Sequence, residues 1–166
     1  MTITASQRLF AVSPDALSTR RLSVDELASL IFPAGFYKTK AKQILNIAFL
    51  LQARSDKVPQ TREELLSLPG VGRKTANLVL GLAFGVESIC VDTHVHRIPN
   101  RLGWIETRTP EQSELALEAL WPRGLWIEAN ALLVSFGQTV CTPLSPRCSS
   151  CPFREHCQQK GIGKSR

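Results

Sequence analysis

Four of the five cysteines crowd into one stretch, Cys141-x6-Cys148-x2-Cys151-x5-Cys157, while Cys90 stands alone in an apolar run. That stretch contains proline and too few apolar residues to fold by itself, so a bound metal would supply the missing constraint. Four thiolates suit structural zinc or an iron–sulfur cluster, and by spacing alone zinc is the commoner answer. A second concentration of chemistry lies upstream. Leu65 to Ala76 reads as a helix end, a tight turn through Pro69-Gly70-Val71-Gly72, and a new helix start at Arg73-Lys74-Thr75. Gly70 and Gly72 can take positive φ, and without Cβ atoms they let backbone N–H groups converge on an anion beside a helix N-terminus. Such a turn holds a phosphate without reading sequence, or it is simply a corner between two helices. Lys74 at the helix start either binds phosphate or acts as an amine nucleophile. Asp92 follows the apolar run Ile89-Cys90-Val91 and precedes a helix expected near Thr93, where an aspartate is first of all an N-cap.

The elements that must carry these residues are helical. Ser23-Val24-Asp25-Glu26, Thr61-Arg62-Glu63-Glu64 and Thr109-Pro110-Glu111-Gln112 each fit the capping box that opens a helix, and apolar residues follow at helical spacing. No stretch alternates like a half-buried strand, although Ser88 to Val91 is extended in character, so the chain reads as all-α. Beyond Gly137 helical periodicity fades and Pro, Cys, Ser and Arg take over. His94 and His96, two positions apart on a helix, diverge, which suits packing or hydrogen bonding better than a shared metal. Trp104, Trp121 and Trp126 lie in apolar helical pattern and are expected in the core, and Cys90 as a buried free thiol.

Twenty Lys and Arg against fourteen Asp and Glu give a formal charge of +6 over 166 residues, with clusters such as Lys38-Thr39-Lys40-Ala41-Lys42. This is the electrostatic footprint of a protein that meets phosphates. Lys40, and Arg147 inside the longest gap between cysteines, are the basic residues expected to reach a nucleic-acid backbone. No apolar run is long enough to cross a bilayer. Met1 to Phe10 has neither the basic nor the long apolar region of a signal peptide, so a cytoplasmic location with reduced thiols is expected.

Leu68-Pro69-Gly70-Val71-Gly72-Arg73-Lys74-Thr75-Ala76, then Val91-Asp92-Thr93-His94-Val95-His96-Arg97, and finally the cysteine spacing resemble the endonuclease III family, from about Arg8 to Cys157. The resemblance implies a helix-hairpin-helix DNA glycosylase fold: a helical barrel lobe over 1–92 with the hairpin at 61–84, and a second helical lobe over 93–166 with a cluster loop at 141–157. It implies that Cys141, Cys148, Cys151 and Cys157 hold a [4Fe–4S] cluster. Leu68, Gly70, Val71, Gly72 and Arg73 would grip the backbone of double-stranded DNA that carries a damaged base or abasic site. It further implies catalysis by Lys74 and Asp92 on a nucleotide flipped from the stack. Lys74 would displace an oxidised pyrimidine, form a Schiff base with the sugar and cleave the strand by β-elimination. Asp92 would deprotonate the amine and stabilise charge at C1′.

Adenine-mismatch members share the hairpin, aspartate and cysteines but usually lack the lysine, so Lys74 favours combined glycosylase and lyase activity. The alternatives are a monofunctional glycosylase for mismatched or alkylated bases, or a non-catalytic DNA-binding fragment. The likeness starts late: Ala5 to Phe10 corresponds to the end of an early family helix, and the helices before it are not in this sequence. A truncated version of a fuller enzyme, monomeric and associated with the nucleoid, is the expectation.

Overall fold

The computed structural model describes residues 2–166. Nine α-helices account for the regular structure among them: α1 (Thr2–Val12), α2 (Ala16–Thr19), α3 (Val24–Ile31), α4 (Tyr37–Gln52), α5 (Arg62–Leu66), α6 (Arg73–Phe84), α7 (Thr93–Leu102), α8 (Pro110–Leu120) and α9 (Trp126–Thr139). Short 3-10 turns follow at Arg123–Leu125, Cys148–Ser150 and Arg154–His156, and no strand occurs among the described residues. The all-α expectation therefore holds. None of the helices is long and apolar enough to cross a membrane.

Helix starts fall where the capping pattern put them. Ser23 and Glu26 form a complete capping box at α3, the Ser23 Oγ accepting from the Glu26 N–H and the Glu26 carboxylate from the Ser23 N–H. Thr61 and Thr109 accept from Glu64 N–H and Gln112 N–H and so cap α5 and α8. A further capping box, Asp15 with Ser18 at α2, was not expected, because serine is not the acid or amide that the pattern seeks at that place.

The chain divides into two compact units, Met1–Gly72 and Arg73–Arg166. The first is built on α3 against α4 and α1, with Leu9, Leu27, Ala28, Ile31 and Ala41 as its buried centre. Arg20 ties its loops together, donating to the Ala48 carbonyl at 2.9 Å and pairing with Asp56.

The second unit closes on Ile89, Val91, Val95, Ile105, Leu117 and Trp126. Leu117, Val95 and Ile89 are completely buried, and each contributes ~1.5–3 kcal/mol by leaving water. The boundary expected after Asp92 lies instead after Gly72. Its reason is this core: Ile89 and Val91, on the chain leading to Asp92, pack with residues of α7, α8 and α9, which draws α6 and the extended segment into the second unit. Within it α7 lies close on α9, where Gly137 has no room for a side chain. A Cβ there would stand 2.1 Å from His94 Nδ1.

Candidate functional site

Two helix starts in the second unit carry the residues marked as catalytic. At α6 the residue before the helix is Gly72, which has no side chain with which to cap it, unlike Ser23, Thr61, Asp92 and Thr109 at their helices. Gly72 itself thus offers no capping oxygen to the N–H groups of that first turn, which carry the positive end of the helix dipole. The first side chain of α6 is fixed instead. Arg73 Nε and Nη2 grip the Glu114 carboxylate of α8 at 2.6 and 3.1 Å, with the glutamate side chain only 2% exposed. This bidentate pair anchors the helix start, because two charge-assisted bonds fix the first side chain of α6 on α8. It also engages two nitrogens of Arg73, leaving Nη1 as the one that could face a phosphate. Lys74, next along, is exposed.

At α7 the cap is an acid. Asp92 Oδ1 accepts from the N–H groups of His94 at 2.8 Å and Val95 at 2.9 Å. Oδ2 takes no hydrogen bond among the described residues, so capping fixes the carboxylate while leaving one oxygen available. The Cys90 thiol reports on both helix starts. Burial pushes it up to about 11, the Lys74 charge pulls it down, and the Asp92 and Glu114 charges push it further up. Lys74 and Asp92 are therefore both within electrostatic reach of one buried thiol in one unit, and Cys90 is buried and free as expected.

The turn lies at the end of the first unit. Gly70 takes φ +77°, where a side chain would be strained and would run into Gln43 of α4. Gly72 does not: its φ is ordinary and a Cβ there would meet nothing within 4 Å, so of the two glycines that can take positive φ only Gly70 does. Leu68 is buried at 8%, and its carbonyl accepts the Val71 N–H at 3.1 Å. Its side chain thus secures the turn rather than projecting from it. Lys40 is exposed on α4.

In the second unit Cys141, Cys148, Cys151 and Cys157 line one cavity together with Arg101, Leu102, Phe136 and Arg147. Burial and the charges of the other three raise the Cys157 thiol, against the opposing bond from the Gln159 N–H. The four cysteines line one cavity, yet among the described residues no three His, Cys, Asp or Glu groups converge tightly enough to hold one metal ion. Two arginines of α7 brace the segment. Arg101, 8% exposed, donates to the Thr142 and Pro143 carbonyls at 2.8 Å each, and Arg97 donates to the Cys141 carbonyl at 2.9 Å. Arg147 is exposed at the mouth, its N–H bonded to the Val140 carbonyl.

Sequence reading missed these arginines and two asparagines, Asn77 and Asn130, whose signal is a polar residue inside an apolar helix run. The histidines diverge as expected: His94 Nδ1 meets Arg97 at 3.1 Å, and His96 Nδ1 meets Ser113 Oγ at 2.6 Å. Trp126 belongs to the core. Trp104 does not, being 42% exposed and edge-on to Trp121 and Phe153.

The sequence profile of HhH-GPD superfamily base excision DNA repair proteins matches residues 1–123. Endonuclease III of Thermotoga maritima is 44% identical over 166 residues, covering 98% of this chain and 78% of that protein. Endonuclease III-like protein 1 of Bos taurus is 45% identical, and the chain spans about half (53%) of its length. Among solved structures, a trapped endonuclease III–DNA covalent intermediate matches with a TM-score of 0.88 at 36% identity, covering 93% of this chain and 74% of that one. A thermostable thymine-DNA glycosylase matches with a TM-score of 0.80 at 27% identity over the same shares.

Proposed function

Because the chain belongs to the HhH-GPD superfamily of base excision DNA repair proteins, we propose that it is a bifunctional glycosylase and abasic-site lyase of the endonuclease III type, acting on oxidised pyrimidines in duplex DNA. The observation that carries this reading is the pairing of an exposed Lys74 at a helix start with an Asp92 whose Oδ2 is available in the same unit.

In this reading the neutral Lys74 amine attacks C1′ of the flipped nucleotide. A bond forms between Nζ and C1′ while the bond from C1′ to the base breaks, and the base leaves with the bonding pair. Asp92 Oδ2 accepts a proton from the attacking amine and offsets the positive charge that grows at C1′. Opening of the sugar ring gives an iminium between Lys74 and C1′. It acidifies the C2′ proton, whose loss expels the 3′ phosphate and cuts the strand, and water then releases the lysine. In the second unit the first turn of α6 suits a backbone phosphate, as the turn at Gly70 does in the first unit, and Lys40 and Arg147 are the further phosphate contacts of their own units.

Cys141, Cys148, Cys151 and Cys157 would hold a [4Fe–4S] cluster. Four thiols that line one cavity are the donor set that such a centre would take. Bound there, the cluster would tie the basic loop together; excision and β-elimination are proton and nucleophile chemistry and move no net electrons. Reduced thiols of this kind belong in the cytoplasm, with a monomer working on the nucleoid.

Borohydride should trap the protein covalently on a duplex with one abasic site, at Lys74 by peptide mapping. The absence of any trapped complex, with excision intact, would turn the assignment to the monofunctional class.

A further inference from the structure

The extended segment that delivers Asp92 is fastened by side chains the chemistry above does not use. Ile89, Cys90 and Val91 are 0, 4 and 5% exposed. An extended stretch buried in a helical unit has no neighbouring strand to satisfy its carbonyls, so side chains must do it. Two asparagines on different helices take that task. Asn77 Nδ2 of α6 donates to the Ile89 carbonyl at 2.9 Å, and Asn130 Nδ2 of α9 donates to the Cys90 carbonyl at 3.0 Å. Ser88 Oγ donates back to the Asn77 carbonyl at 2.9 Å. Asn77 lies three residues beyond Lys74, on the same side of α6 one turn further on.

We infer that Asn77 and Asn130 are positioning residues, which set where Asp92 stands relative to the helix that carries Lys74. The inference rests on the reading of Lys74 and Asp92 as the reacting pair. Packing alone does not account for Asn77. The residue is 1% exposed and its Oδ1 is buried with no partner among the described residues. Leucine, of similar size, would fill the space without that unpaired oxygen. What leucine cannot do is hold the Ile89 carbonyl, three residues before Asp92. The amide is retained where a displacement of the carboxylate by about 1 Å costs on the order of a hundredfold in rate.

The test compares Asn77→Leu, Asn130→Ala and Lys74→Gln by single-turnover borohydride trapping on a preformed abasic duplex, with duplex Kd and Tm measured alongside. Asn77→Leu should change Tm by only a few degrees, since the lost bond is offset by removal of the unpaired oxygen. Its trapping rate should fall roughly 10- to 100-fold at unchanged Kd, and Asn130→Ala should fall less. Ile105→Ala, a core variant of the same unit, separates positioning from stability: it should lower Tm more while trapping at the parent's rate well below its melting range. If Asn77→Leu and Asn130→Ala trap within twofold of the parent while Lys74→Gln does not trap, the clamp is overturned and the assignment of Lys74 stands. Should Asn77→Leu fail to fold, Asn130→Ala decides on the same criterion. Trapping by Lys74→Gln would overturn the nucleophile and, with it, the clamp's purpose.

Discussion

The starts of α6 and α7 treat the same problem in opposite ways. Both leave N–H groups that need acceptors. α7 meets its need with Asp92, whose Oδ1 takes two of them. α6 begins after Gly72, which offers no side chain, and its first residue, Arg73, is turned to Glu114. One helix start therefore holds a fixed negative charge and the other presents a positive end with an exposed lysine. A nucleophile beside a bound phosphate needs the second arrangement, and a carboxylate that must stay aimed needs the first.

The largest effect should come from removing the amine. Lys74→Gln keeps the helix and the exposed position, so duplex binding should persist. Schiff-base trapping and strand cleavage should drop on the order of a thousandfold or more. Ordinary trapping in gel assays of this variant would leave Lys74 a phosphate contact and make the contrast between the helix starts purely structural.

Asp92 divides next into its two duties. Asparagine also caps helices well, so Asp92→Asn should change stability by less than ~1 kcal/mol while base excision falls about 10²- to 10⁴-fold. Asp92→Ala loses the cap too and should cost ~1 kcal/mol more on denaturant titration. Equal excision by Asp92→Asn and the parent would reduce the carboxylate to a cap.

Cys90 offers a gentler reading of the same contrast, because the two charges act on it with opposite sign. Lys74→Gln should raise the pH at which iodoacetamide labels Cys90, and Asp92→Asn should lower it, as followed by mass spectrometry. There is also a stability consequence. The folded thiol, at about 11 against an ordinary value of 9.0, keeps its proton where the unfolded one loses it. The parent should therefore hold its full stability below pH 9 and lose up to ~2–3 kcal/mol as pH climbs from 9 to about 11. Cys90→Ala should lack that component of the slope.

Much of this was legible in the chain, and the limits have a common cause. Capping residues act on N–H groups two or three positions away, so Ser23, Thr61 and Thr109 announced their helices. Lys74, Asp92 and the cysteines were singled out because their spacing within short segments matches a family pattern. What escaped depends on tertiary neighbours: the unit boundary at Gly72 follows from Ile89 and Val91 joining a core of distant helices. Asn77, Asn130 and Arg101 bond to carbonyls 12, 40 and about 41 positions away. Which of the two glycines uses its freedom was not legible either. The sequence context of Gly72 permits positive φ, but the turn spends that freedom at Gly70, and the absence of a side chain at Gly72 matters for the cap it does not offer.

That last point gives the smallest and most direct way to erase the difference between the two helix starts. Gly72→Ser would supply α6 with the oxygen that it lacks, and there is space for it, since a Cβ at Gly72 meets nothing within 4 Å and φ is ordinary. A serine cap should stabilise the protein by a few tenths of a kcal/mol over glycine. The same oxygen would occupy the N–H groups that a phosphate would otherwise use, so duplex affinity should fall severalfold, equally for damaged and undamaged DNA, because a backbone contact carries no sequence or lesion information. The slope of log affinity against log salt should barely move, as no lysine or arginine has been removed. If Gly72→Ser raises Tm and leaves duplex Kd unchanged, the first turn of α6 does not hold a phosphate, and the missing cap is only a feature of the turn.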